Sequence, residues 1–219
     1  MPTYETKIQD KQPEQKGQKS RFWNEFKAGT KVLAKHRVLL SLTIINLGIN
    51  IGSVGHLHIV LLKDQYGATA TQFGLLQATG VATSIIGGLF IGRLIKKIKP
   101  ISSLSIGLIV TSFTIILLGC FDQLILAFIL KIIETFALLF YVITIQTLLI
   151  TLVKPEFRAR IDTLVTSISS FAMPLSIFIT GYLADIIPLR YLFYVTGAWG
   201  IVMWVILLLN KEVRQLEKV

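Results

Sequence analysis

Two groups of residues have the types and spacing to do chemistry inside an apolar environment. The first is Lys131 and Glu134, three residues apart in the otherwise apolar run Leu124–Val153. That spacing puts them at neighbouring positions of one helical face. Tyr141, seven residues after Glu134, continues the face. A charge at the centre of a membrane helix costs about 2.5–3.5 kcal/mol on insertion scales, so such groups are generally retained for a task. Two roles are open. Either Glu134 exchanges a proton or meets a cationic ligand with Lys131 beside it, or the two form an intrahelical ion pair with no further duty.

The second group is Asn46, Asn50 and Ser53. With Asn46 at zero and about 100° per residue, Asn50 falls at about 40° and Ser53 at about −20°. Gly48, Gly52 and Gly55 fall on the opposite face, which suits close helix packing. An amide stripe in hydrocarbon needs partners or water. It therefore lines a cavity that hydrogen-bonds a substrate, or it joins helices within a bundle. On the same projection His56 sits at the stripe's edge and His58 across the helix. Proton carriage and simple solvation are both open for these histidines.

Other chemistries find no support. Gly52-Ser53-Val54-Gly55 faintly suggests a serine nucleophile, but such an enzyme needs a histidine on another span, and the three histidines are His36, His56 and His58. There is no phosphate loop, paired catalytic carboxylates or metal-ligand spacing, so we expect no catalytic residues, no metal and no bound cofactor. Cys120 is the single cysteine, which rules out an internal disulfide.

The elements that must position these residues are membrane helices. Charged residues make up 16% of the chain against 53% hydrophobic, well below the charge of a soluble domain. Six continuous apolar runs are expected to span, at Val38–Leu62, Phe73–Ile95, Ile101–Phe121, Leu124–Val153, Asp162–Ile187 and Tyr191–Leu209. Continuous runs exclude a β-barrel, whose strands alternate. In the fifth run Pro174 removes a backbone donor and predicts a bend, with Ser167, Ser169 and Ser170 placed to satisfy freed groups.

The net charge of +10 reads as orientation charge rather than nucleic-acid binding, because the cations sit between apolar runs. On one side lie 16 cations, including Arg93, Lys96, Lys97 and Lys99 in one loop and Lys154, Arg158 and Arg160 in another; the other side holds Lys63 and Arg190. Cations are retained in the cytosol during insertion, so both termini are expected there. Residues 1–36 read as a polar disordered tail with a short interfacial helix carrying Phe22, Trp23, Phe26 and Leu33. Residues 37–210 read as the six-span bundle and 211–219 as a cytosolic tail.

A weak internal repeat relates Gly88–Arg93 near the end of the second span to Gly181–Asp185 near the end of the fifth, 93 residues apart. The offset superposes spans one to three on spans four to six, and since three is odd the triplets are inverted. Gly181 and Asp185, with Arg190, are expected to make a contact at the outer loop.

The segment Gly88–Pro100 resembles the signature inner loop of the major facilitator superfamily, which joins the second span of each six-span half to the third. Gly88, Leu89, Arg93 and trailing lysines such as Lys97 match, with Gly92 where an acid is usual. Gln146 and Lys154–Arg160 look like the segment after the tenth span of drug-exporting members, where a Pro-acid-x-x-Arg run forms the inner loop. The tail before Val38 is similar to the central loop linking the halves. The resemblance implies an all-α membrane protein, the six-span C-terminal half (a 3+3 inverted repeat) of a major facilitator fold, closest to macrolide and multidrug efflux permeases. It implies a transporter rather than an enzyme, driven by a proton gradient and multi-pass in the cell membrane. Its partners would be the lipid bilayer, a small hydrophobic substrate, and an N-terminal six-span half or a second copy, with no nucleic acid. The alternative is a truncated or non-transporting membrane interaction protein.

Overall fold

The computed structural model describes residue 33 and residues 36–216, and among these every regular element is helical. In chain order they are α1 (Arg37–Ile51), a 3-10 turn (Gly55–Leu57), α2 (His58–Asp64), α3 (Ala70–Ile95), α4 (Pro100–Cys120), α5 (Leu124–Leu152), α6 (Pro155–Ala184), α7 (Leu189–Leu209) and the short α8 (Lys211–Arg214). Six segments are long and apolar enough to cross a membrane, the first being Arg37–Asp64, which comprises α1, the turn and α2.

Local chemistry sets the boundaries. Gly67, at φ +62, makes the reversal before α3, and Thr69 opens that helix with a capping box: its backbone N–H donates to Gln72 Oε1 at 2.8 Å and its hydroxyl accepts from Gln72 N–H at 3.3 Å. Pro100 and Pro155 sit at the first positions of α4 and α6, where a missing N–H costs nothing. The links at this end can therefore be short.

Packing repeats with the inverted symmetry expected from the offset. α3 lies on α5 and α1 on α6; α4 lies on α5 and α7 on the first span; α4 and α7 lie on each other. Exchanging spans one, two and three for four, five and six maps this set of contacts onto itself. The α4–α5 contact is backbone-close, since a Cβ on Gly107 would lie 2.6 Å from Tyr141 Cβ and 2.9 Å from Tyr141 N. Below it, the fully buried Thr144 hydroxyl donates to Ser103 Oγ at 2.7 Å, and Ser103 donates to the Phe140 carbonyl at 3.1 Å.

One core cluster joins Leu61, Leu62, Leu118, Leu130 and Phe193 at the end of the bundle away from the cationic loops. There Tyr66 donates to the Leu118 carbonyl at 2.6 Å, and burial, helped by Asp122, holds its ionisation well above the usual tyrosine value, so it stays a donor. A second cluster joins Leu42, Leu104, Leu148, Leu207 and Val213 at the basic end. Apolar side chains such as Ile85, Phe90, Phe171 and Phe178 face outward, as hydrocarbon requires.

Four expectations need correction. The first span is not one helix but breaks at Gly52–Val54. The fifth begins at Pro155 rather than Asp162: a hydropathy window discards the charged turn Pro155–Ile161, yet Arg158 secures it by donating to the Ile150 carbonyl at 2.7 Å and the Val153 carbonyl at 3.0 Å. The run Pro155-Glu156-Phe157-Arg158 is thus the start of a helix whose arginine caps the preceding one. Residues 211–216, expected as a tail beyond the bundle, are part of its packing, because Val213 is fully buried in the core and Arg37 pairs with Glu212 at 3.5 Å. Finally, Leu33 is buried against Leu39, Leu149 and Ile161, inside the bundle rather than on a lipid surface. Phe22, Trp23, Phe26 and the rest of the expected tail lie outside the described residues.

Candidate functional site

Asn46, Asn50, Ser53, Glu134 and Tyr141, chosen from two stretches of sequence far apart, line one cavity of about 320 Å³ between α1, α4, α5 and α7. Lys131 opens instead onto a smaller adjoining cleft of about 20 Å³, shared with His58, Gln77, Thr114 and Glu134. Lys131 Nζ donates to Glu134 Oε2 at 3.2 Å, and both side chains are mostly shielded, at 23% and 17% exposure. The ion pair thus forms part of the wall between the cleft and the cavity.

The polar groups around it are unequally satisfied. Asn50 Nδ2 donates to the Asn46 carbonyl at 3.0 Å, so that amide is partly spent on its own helix. The Tyr141 hydroxyl is buried with no partner, and so is Nε2 of His58. These orphaned atoms lie where a ligand or a water would be held.

The break in the first span forms one edge of the cavity. Glycine at positions 52 and 55 removes helix propensity, and the carbonyls exposed nearby find side chains from other spans. Trp199 Nε1 donates to the Gly48 carbonyl at 2.7 Å, Thr196 to Gly52 at 2.9 Å and Ser176 to Ser53 at 2.8 Å. The glycine face packs as expected at Gly48, where a Cβ would lie 2.6 Å from Met203 Sδ, and at Gly52, against Trp199; Gly55 meets no other span. Because of the break, a continuous helical projection fails beyond residue 52. His58, placed across the helix by that projection, faces the Glu134 cleft, while His56 lies 2.9 Å from Thr180 Oγ1.

A second cavity of about 170 Å³ continues toward the basic end, sharing Asn46, Asn50, Tyr141 and Val142 with the first. It adds Gln146 from α5 and Asp162, Thr166, Ser169 and Ser170 from α6. Sequence reasoning missed Asp162 as a wall residue because it took the position for the start of a span. Proline at the first helical position followed by an acid would have carried the helix back and made Asp162 an intrahelical charge.

Other singled-out residues lie elsewhere. Gly88, Leu89 and Arg93 are exposed on α3 and Lys97 on the following link, and a Cβ on Gly88 or Gly92 would meet open space. Pro174 is exposed within α6, which runs unbroken across it. Ser169 Oγ is buried without a partner and so does not serve the groups that Pro174 frees. Among the described residues no ion pair joins Asp185 to Arg190.

The sequence profile of the Major Facilitator Superfamily matches residues 38–219. No curated protein and no solved structure matches the chain.

Proposed function

Since the chain belongs to the Major Facilitator Superfamily, a family of membrane transporters, we propose that it forms one six-span bundle of a secondary transporter that exports macrolides or other hydrophobic compounds in exchange for protons. The observation that carries this reading is the Lys131–Glu134 pair, 3.2 Å apart and set in the wall of a cavity rather than facing lipid. In this reading Glu134 is the group that exchanges the proton during alternating access, with Lys131 as its counter-ion. Glu134 lies about ten residues into its span, roughly 15 Å from the end of α5 at about 1.5 Å per residue, close to the midplane.

Such a cycle rocks two bundles around the central cavity, so a second bundle is required, either an N-terminal six-span half or another copy. The unoccupied neighbourhoods of Gly88, Gly92 and Gly181 support α3 and α6 as the helices that meet it. This reading puts the chain in the cell membrane with the basic end in the cytosol, supported by the cations that cluster there. Reporter fusions after Lys99 and Lys154 should then signal cytosol, and a fusion at Asp122 outside; a cytosolic signal at Asp122 breaks this orientation.

Function is tested in inside-out vesicles from cells expressing the chain together with a complementary bundle. Energised vesicles should accumulate a labelled macrolide, and a protonophore should abolish accumulation. Equal accumulation with and without the protonophore would exclude proton coupling.

A further inference from the structure

We propose that the cavity at the basic end is a second ligand subsite, one that takes a protonated amine on an apolar body, with Asp162 as its counter-ion. This rests on the reading that small hydrophobic molecules enter the bundle, and it specifies their charge. The two cavities meet at Asn46, Asn50 and Tyr141, so one ligand can span both or pass between them.

Their electrostatics differ. In the larger cavity the carboxylate of Glu134 already has a cation, Lys131, at 3.2 Å. The smaller one has Asp162, and no lysine or arginine is among the described residues that line it. A carboxylate so placed favours an incoming cation, and its attraction is stronger where water is scarce.

The rest of the wall is built to the same purpose. Asp162, Thr166, Ser169 and Ser170 follow one another at i, i+4, i+7 and i+8 on α6, a single polar stripe turned toward the cavity. Two hydroxyls on this wall are buried and have no hydrogen-bond partner: Tyr141, at 5% exposure, and Ser169, at 3%. A buried hydroxyl without a partner is an unmet requirement, and here two of them line the same cavity as one carboxylate. An ammonium group on Asp162 with adjacent ether or hydroxyl oxygens would satisfy all three, while Ile145, Leu149 and Val165 offer apolar contact for the remainder.

The test is equilibrium binding of tritiated N,N-dimethyl-4-phenylbutylamine, protonated at pH 7, to the full chain in lipid nanodiscs, above an empty-nanodisc background. Saturable binding is expected, displaced by excess unlabelled amine but not by uncharged 4-phenylbutanol. Asp162→Asn should weaken it about ten-fold, the scale of one charge-assisted contact. Asp162→Glu should restore most of it, which separates loss of charge from loss of fold. Asp185→Asn, exposed at the far end and outside the cavity, should leave it unchanged. The proposal is overturned if the amine binds no better than the alcohol, if Asp162→Asn binds like wild type, or if Asp185→Asn costs as much. Intact binding without any transport would instead refute the transporter reading and leave the subsite standing.

Discussion

The first and fourth spans occupy equivalent places in the two inverted triplets, yet they bring polarity into the membrane in opposite ways. The first is broken at Gly52–Val54 and presents backbone carbonyls, each held by a side chain from α6 or α7. The fourth, α5, runs unbroken for 29 residues and presents charged side chains, Lys131 and Glu134, paired on its own surface. A break supplies fixed dipoles that cannot titrate; an ion pair supplies groups that can. Both spans line one cavity.

The sharpest way to break this comparison is at the backbone-close contact on α5. Gly107 touches the backbone of α5, with Tyr141 N 2.9 Å and Ala137 O 3.1 Å from an added Cβ. Gly48 in the broken span would meet only the flexible side chain of Met203. Overpacking costs typically about 1–3 kcal/mol, more where the neighbour is backbone. Gly107→Ala should therefore lower thermal stability in detergent by about 3 kcal/mol, and Gly48→Ala by about 1 kcal/mol or less. Equal losses would mean that the two spans are held alike.

The ion pair gives the next largest effect. Lys131→Met leaves a largely shielded carboxylate alone and should cost about 2–3 kcal/mol. Adding Glu134→Gln should recover most of that loss in the same thermal scan, since the pair's desolvation is then avoided. If the double variant is as unstable as the single, the pair is not the interaction that matters at this site.

The contrast between a broken and a continuous helix was only partly legible from residues. Apolar runs located all six spans, and the 93-residue offset foretold an inverted packing that the helix contacts reproduce. Asn46, Asn50, Ser53, Glu134 and Tyr141, singled out for their polarity, line one cavity. What periodicity could not express was a change of helix axis. Beyond Gly52 the projection assigned His58 to the wrong side, because the 3-10 turn at Gly55–Leu57 re-aims everything after it. Hydropathy likewise began the fifth span at Asp162 and so left that residue at a terminus rather than on a wall, although a charged turn can stay helical once Arg158 caps its neighbour. Thr196 and Trp199 were invisible for a different reason: their partners are carbonyls, and a sequence does not say which carbonyls a break will free.

Smaller effects should follow at the break. Ser176→Ala and Thr196→Val each remove one hydrogen bond to a freed carbonyl and should cost about 1 kcal/mol. Amide exchange near Ser53 and Val54 should accelerate in both variants while α5 is unaffected. Uniform acceleration in both spans would show that the break is not held locally. Loss of the exposed Arg37–Glu212 pair through Glu212→Gln should cost least, below about 1 kcal/mol.

Glu134→Gln tests the central claim most directly, because it preserves shape and removes titration. In vesicles carrying the complete two-bundle transporter, macrolide accumulation driven by a proton gradient and gradient-free exchange of labelled for unlabelled macrolide are measured side by side. The account predicts that Glu134→Gln loses gradient-driven accumulation and keeps exchange close to the wild-type rate. Wild-type accumulation in the variant, at equal expression, would contradict it and reduce Lys131–Glu134 to a structural pair.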